Sequence, residues 1–451
     1  MSCPASKRKG LAMPTETSTI EVRCCIAGGG PAGMVLGFLL ARAGIEVLVL
    51  EKHADFLRDF RGDTVHPSTL ELMHELGIID DFLRRPHQEL PQVGGLIDGF
   101  EVTVADFSHL PTHCKFIALM PQWDFLNFIA EKAKAYSQFH LRMEAEVSDL
   151  IVENGRVAGV RAKTPQGALE VRAYLTIGAD GRHSIVREKA ELEVLDLGAP
   201  IDVLWMRISR QPGDPHQTLG RFQDGKILVT LNRDDYWQCA YVIQKGGFQA
   251  IKQGGLPMFR RTIETIAPFL RGRTEELKDW EDIKLLSVAV DRLRRWSRPG
   301  LLCIGDSAHA MSPIGGVGIN LAIQDAVAAA NILVQPILGT AVTSEKLQEV
   351  RKRRELPTKI TQGFQVFAHK RFITRALNRR TPLGSLPLPL QLLKQFPVLR
   401  RIPARMLGLG FRPEHVRTPD MNHGTGARSI ARSGDLESRD GPVTPRCFFD
   451  D

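Results

Sequence analysis

The stretch "VRCCIAGGGPAGMVLGFLLARAGIEVLVLEKH" at residues 22–53 restricts the fold more than any other part of the chain. Val22–Ala27 is an apolar, β-prone run. Gly28, Gly30 and Gly33 follow in G-x-G-x-x-G spacing, with Pro31 and Ala32 inside it; 34–43 reads as helix, and Ile45–Leu50 as a second strand closing on Glu51 and Lys52. Strand, glycine turn, helix, strand and a terminal carboxylate make a βαβ dinucleotide-binding unit. Gly28 permits the tight turn, Gly30 lets backbone N–H groups approach a pyrophosphate at the helix N-terminus, and Gly33 lets helix and strand pack closely. Glu51 would accept the hydroxyls of an adenosine ribose and repel a 2′-phosphate, which favours FAD or NAD over NADP as the resident nucleotide.

A second glycine-rich loop, "GDSAHAMSPIGGVGIN" (305–320), separates FAD from NAD. The run "LLCIGD" is a short buried strand that delivers Asp306 to its carboxyl end, where ligands sit in open α/β sheets. A carboxylate there would repel a pyrophosphate but accept hydrogen bonds from a ribityl hydroxyl, and NAD has no ribityl chain. Pro313, Ile314, Gly315, Gly316, Val317 and Gly318 then form a loop poor in side chains that feeds a helix over 319–333. The free N–H groups and positive dipole end of that helix suit the anionic pyrimidine side of a reduced flavin. The second loop is thus expected to hold the other end of the same FAD. A hydrolase reading of Ser307 and His309 fails because the nucleophile elbow needs glycine two residues after the serine, and His309 reads as a packed histidine.

With "GADGRHSIVR" (178–187) between them, these segments resemble the three signatures of the single-component (group A) FAD-dependent aromatic hydroxylases, the family of para-hydroxybenzoate hydroxylase and the ubiquinone-pathway hydroxylases, over roughly residues 20–415. The resemblance implies that Asp180 and Gly181 contact flavin and the nicotinamide nucleotide, that Asp306 binds ribityl, that Pro313 lies against the reactive flavin edge, and that Ile319 and Asn320 hold the pyrimidine side. Arg61 and Gln122 match family positions that touch FAD, and Arg42 is a weaker transfer because arginines at helix ends also serve as dipole partners. No catalytic base carries over. The resemblance also implies non-covalent FAD, NADPH or NADH as co-substrate, and O₂ forming a flavin C4a-hydroperoxide that hydroxylates a phenol-like or polycyclic aromatic small molecule in a site closed to water. Three other functions share parts of this pattern: flavin-dependent halogenases, although no tryptophan here sits in a W-x-W-x-I-P stretch; flavin reductases, separable by O₂ uptake; and a flavin-binding interaction module.

The expected fold is α/β: a Rossmann-like FAD-binding domain (21–89, 118–195 and 291–342), an antiparallel-sheet substrate domain (90–117 and 196–290), and a helical, basic C-terminal segment (343–418), between a disordered leader (1–20) and a disordered tail (419–451). Residues 138–179 read as a β-meander turning at Asn154-Gly155, and strands are expected at 201–209, 226–231, 236–243 and 283–290, with a helix near 256–270. Met206, Tyr236, Trp237, Tyr241 and Phe248 are candidate pocket residues from chain order alone.

Seven scattered cysteines with no CxxC pair indicate a reducing, cytoplasmic setting and no metal site. The apolar stretch 24–41 is interrupted by GGGPAG, so it reads as strand, turn and helix; the first twenty residues carry no export signal. The net charge of +8 is regional, because residues 351–417 hold 16 Lys and Arg against Glu355 and Glu414. No nucleic-acid motif accompanies it. Two readings of that segment stay open: a wrap around the substrate domain with arginines reaching solvent, or weak peripheral contact with an anionic membrane.

Overall fold

The computed structural model describes residues 18–57, 64–379, 381 and 383–422. The chain opens with β1 (Ser18–Ala27), α1 (Pro31–Arg42) and β2 (Val47–Leu50), sends a hairpin of β3 (Gln92–Ile97) and β4 (Phe100–Asp106) to a second sheet, and returns through α2 (Gln122–Ala133) and β5 (Phe139–Arg142). A meander of β6 (Glu146–Glu153), β7 (Arg156–Thr164) and β8 (Gly167–Gly178) follows. The second sheet then receives β9 (Ile201–Ser209), β10 (Leu219–Gln223), β11 (Lys226–Asn232), β12 (Tyr236–Gln244) and, after α3 (Leu256–Ile266), β13 (Lys284–Ser287). β14 (Leu301–Cys303) rejoins the first sheet, and α4 (Val317–Leu338), α5 (Ser344–Ala368), α6 (Leu388–Gln395) and α7 (Arg401–Gly408) complete the chain.

The first sheet has the parallel order β14-β8-β1-β2-β5, extended by β7 and β6 beside β8. β1 is central and its neighbours cover both edges, so its core half, Cys24–Ala27, is apolar without alternation. α1 is likewise buried from Ala32 to Ala41 because the sheet, α2 and α4 enclose it. α4 is long and apolar enough to cross a membrane, but most of its residues are buried inside the molecule.

The second sheet has the order β13-β9-β12-β11-β10-β3-β4. It is antiparallel except for one parallel pair, β10 with β3, which joins the early hairpin to the later strands. Asn154 and Gly155 both take positive φ, 49° and 76°, the geometry of a two-residue turn that matches strand twist. β10 escapes the sequence pattern because "LGRFQ" carries a glycine and two polar residues in five.

Two terminal expectations need correction. Ser18–Ile20 belong to β1, paired with Leu169–Val171, so they are not leader; residues 1–17 lie outside the described residues. The expected tail starts too early, because Asp420 pairs with Arg42 at 3.3 Å and the Met421 N–H donates to the Arg42 carbonyl at 2.9 Å; 423–451 lie outside the described residues.

Candidate functional site: the carboxyl edge of the parallel sheet

Four strands end level with one another. Ala27 is opposite both Leu50 and Gly178, and Gly178 is opposite Cys303. Gly28, Glu51, Asp180 and Asp306, from segments far apart in sequence, therefore emerge along one edge. Gly28 has φ +108°, and a Cβ there would collide with the Ala179 carbonyl; one at Gly33 would collide with the Gly28 carbonyl. Gly30 has open space where its side chain would be. It caps α1 with no side-chain hydrogen bond, Pro31 follows, and no acidic residue occupies the first turn, so the positive end of the helix faces outward unneutralised. The Glu51 carboxylate sits beside this loop, accepting from Gly29 N at 3.0 Å and His53 N at 3.1 Å, while Lys52 is exposed.

Asp180 is half-buried, with Oδ2 accepting from Val186 N at 3.1 Å and Oδ1 buried without a partner. Burial raises its carboxyl above the usual range against the pull of Ser184 and nearby N–H groups. Gly181, at φ +85°, leaves open space in front of it. Asp306 is a third exposed, 3.8 Å from Arg182. Its neighbour Ser307 is sealed, with the hydroxyl 2.6 Å from the Gly178 carbonyl and 2.8 Å from that of Ile304. That is a structural hydroxyl and not a nucleophile.

The second loop carries Gly315 at φ +80° and Gly316 at φ +62° into the N-terminus of α4, which has no side-chain cap. A Cβ at Gly316 would strike Thr64, whose hydroxyl donates to the Gly316 carbonyl at 2.9 Å. Pro313, Gly318 and Ile319 are half-buried around this turn. Asn320 is committed to protein partners: Oδ1 accepts from His66 N (2.9 Å) and the Thr69 hydroxyl (2.7 Å), and Nδ2 donates to the carbonyls of Thr64 (3.1 Å) and Gly316 (3.2 Å). Its carboxamide therefore ties the loop to the helix Pro67–Glu75, and its contribution to a flavin would be backbone only.

Arg42 does not join the others. It lies at the far end of α1, with Nη1 donating to the Thr418 carbonyl at 2.8 Å and to that of Pro419 at 3.2 Å, as an arginine drawn to carbonyls and a carboxylate at a helix C-terminus would. Gln122 opens α2, half-buried. Arg61 lies outside the described residues.

Sequence reasoning missed the support beneath the edge. His309 Nε2 is 2.5 Å from Asp325 Oδ2, both at 1% exposure or less; Asp325 also accepts from Arg354 Nε (3.0 Å) and Gly305 N (3.1 Å). Burial alone would raise the Asp325 carboxyl, but His309 and Arg354 outweigh it and hold it below the ordinary range. Arg354 meets Glu414 at 3.3 Å, and Glu414 N donates to Gln324. A second clamp comes from α5 and the turn that follows it: Gln362 donates to the carbonyls of Asp291 and Ala310, Gln365 exchanges hydrogen bonds with Ser312 and donates to the Ile314 carbonyl at 3.2 Å, and His369, just past α5, meets the Ser312 hydroxyl at 2.8 Å.

Of the candidate pocket residues, Met206, Trp237 and Tyr241 need correcting by one register position, whereas Tyr236 alternates with Trp237 and stands on the face of Ala240. Met206 and Trp237 are buried under α3, with Tyr241 and Phe248 packed against them, on the sheet face turned away from the loop. Tyr236 stacks on Arg207 at 3.8 Å. The face that reaches Ile314 is the opposite one: Val203, Trp205, Val229, Ala240 and Val242, joined by Ile373 and Leu377.

These features fit an FAD: an open glycine turn at an uncapped helix, a carboxylate beside that turn, an orphaned buried Asp180 oxygen and a second positive-φ loop before another uncapped helix. Residues 21–363 match the family model described as "FAD binding domain". The chain belongs to that family. Its relatives include a 6-methylpretetramide 4-monooxygenase of Streptomyces rimosus, 30% identical over 400 residues, covering 87% of this chain and 94% of the relative. The aromatic compound monooxygenase YhjG of Bacillus subtilis, itself uncharacterized, is 25% identical; the match covers 71% of this chain and 63% of that protein, so this chain spans under two thirds of that relative. The fold matches p-nitrophenol 4-monooxygenase PnpA of Pseudomonas putida at TM-score 0.69 and 20% identity, over 88% of this chain and 100% of the other. Within the family the chain is an FAD-dependent aromatic monooxygenase of the group A type.

Proposed function

We propose that this enzyme hydroxylates a polycyclic, phenol-like small molecule, with NADPH or NADH as hydride donor, O₂ as oxidant and FAD held non-covalently. The observation that carries the reading is the convergence of Gly28–Gly33, Glu51, Asp180, Asp306 and Gly315–Gly318 on one sheet edge that faces the apolar wall of the second sheet. Bound FAD supplies the redox chemistry that activates O₂. The chain does the rest. The α1 N-terminus and Gly30 receive the pyrophosphate, Glu51 the adenosine ribose and Asp306 the ribityl chain, with Gln122 and Arg61 as further contacts. The N–H groups opening α4 stabilise negative charge on the pyrimidine side of the ring. The wall of Val203, Trp205, Val229, Ala240 and Val242 excludes water and suits a flat multi-ring substrate. We assign 90–117 and 196–290 to the substrate domain and 21–89, 118–195 and 291–342 to the cofactor domain. The five cysteines among the described residues are buried free thiols, which supports a reducing, cytoplasmic location.

The test is a screen of phenolic and polycyclic ligands against the purified yellow protein, following NAD(P)H oxidation, O₂ uptake and product. Ligand-stimulated oxidation with an oxygenated product is expected. Reduction of the ligand without O₂ uptake would overturn the reading. Acid precipitation should release the yellow colour into the supernatant, and colour retained in the pellet would contradict non-covalent binding.

A further inference from the structure

The residues from α6 to α7 have two apolar faces, and only one is used. Inward, Ala404 is fully buried and Leu407 and Leu409 pack on Phe107, Leu110 and Ile117; α6, α7 and the 3₁₀ turn between them all lie along β4. Outward, Leu388 (67% exposed), Leu392, Phe396 (49%), Val398 and Ile402 (62%) stand in solvent within fifteen residues. Single exposed apolar side chains are ordinary, whereas five on consecutive turns along one strand form a patch that calls for a partner.

The charge around the patch selects the partner. Lys394, Arg401 and Arg405 are exposed on the same elements, and no Asp or Glu occurs anywhere from 356 to 413. A second copy docked by this face would set these cations against their own symmetry mates with no carboxylate from the segment to offset them. An anionic bilayer satisfies both features, since apolar side chains enter the acyl boundary while lysine and arginine reach phosphate headgroups. We propose that the outer face of residues 388–405 is a docking surface for an anionic lipid membrane. The surface is joined to the cofactor site: Leu407 lies against Gly315, and its carbonyl meets His66 Nδ1 at 2.7 Å. Docking there sets the second glycine loop close to the lipid, a short path for an apolar ring compound to the wall around Ile314.

The experiment is co-sedimentation of the full-length, FAD-loaded protein with phosphatidylglycerol-containing vesicles and with pure phosphatidylcholine vesicles, at low and high salt. Partitioning about tenfold stronger onto the anionic vesicles is expected, falling as salt rises. The apolar triple variant Leu388→Ser/Phe396→Ser/Ile402→Ser and the charge triple variant Lys394→Gln/Arg401→Gln/Arg405→Gln should each lose it while keeping FAD absorbance. Equal or negligible sedimentation with both vesicle types overturns the proposal. So does a wild-type dimer in light scattering that the apolar variant converts to monomer, because the face would then belong to a second copy.

Discussion

Asp306 and Asp325 are nineteen residues apart in sequence and meet opposite ends of the same turn, one facing the cradle and the other sealed beneath it. The outer carboxylate is the one a ligand can feel. Replacing Asp306 by Ala should remove a charge-assisted hydrogen bond worth about 1.5–3 kcal/mol and weaken FAD binding by roughly ten- to a hundredfold in a fluorescence titration. Ser307→Ala, inside the protein, should change that affinity far less. His66 offers a pH test. Fully buried, its imidazole is pushed down to about 4 by desolvation, against the hydrogen bond to Leu407. The unfolded state therefore binds the extra proton between about pH 6.5 and pH 4, so stability is fully present above that window and falls on acidification through it. The urea midpoint should drop across this range, and His66→Gln should flatten the drop. The sequence exposed Asp306 because a carboxylate closing an apolar strand beside a glycine loop has few other uses. Asp325 was hidden because a charged residue inside a helical run looks like a solvated one; only the fold shows it at 0% exposure.

At the scale of elements, the glycine loops were legible because tight turns and close approach restrict the residues that can occupy them, and Gly28 and Gly316 show the collisions any side chain would cause. Four strands of the second sheet, β9, β11, β12 and β13, were legible by composition, but β3, β4 and β10 and the direction of each side chain were not. Strand periodicity defines two faces and does not say which one meets the cofactor; that depends on where α3 settles. Trp237, the most conspicuous aromatic, is held under α3 by an Nε1 bond to Asp214 at 2.8 Å, and small Ala240 lies on the working face. Ala240→Phe should therefore raise the KM for an aromatic substrate by about tenfold while leaving FAD affinity intact. Trp237→Phe should lower the melting temperature without changing substrate preference. Helix α5 acts through its inner polar row: Gln365→Leu strands the Ser312 N–H and the Ser312 and Ile314 carbonyls, at a cost of about 1–3 kcal/mol for each buried group left unpaired. The expected result is weaker FAD retention and more NAD(P)H consumed per product formed.

Across the whole molecule, the C-terminal segment runs from the cofactor sheet over the second sheet and back. Residues 373–377 cover the wall, Arg379 pairs with Asp98, α6 and α7 follow β4, and 412–421 cross α4, α5 and α1 through Glu414 and Asp420. In sequence this stretch read as helical and basic but revealed no inner face, because the prolines and leucines of 382–397 repeat with no helical period. Arg42→Ala checks the corrected role of that arginine. It should lower the melting temperature by loosening Thr418–Asp420 and leave FAD affinity within about twofold of wild type, whereas a cofactor contact would cost tenfold or more. The route of the segment also sets an order of events during synthesis. The loop at 310–320 is fastened in part by Gln362, Gln365, His369 and Leu407, all made after it. A nascent chain released only as far as α4 has every glycine needed to grip the flavin and the ties from Thr64, His66 and Thr69, but lacks the clamp of Gln362, Gln365 and His369 over 310–314, so stable cofactor capture is expected only once α5 and the turn after it have been made.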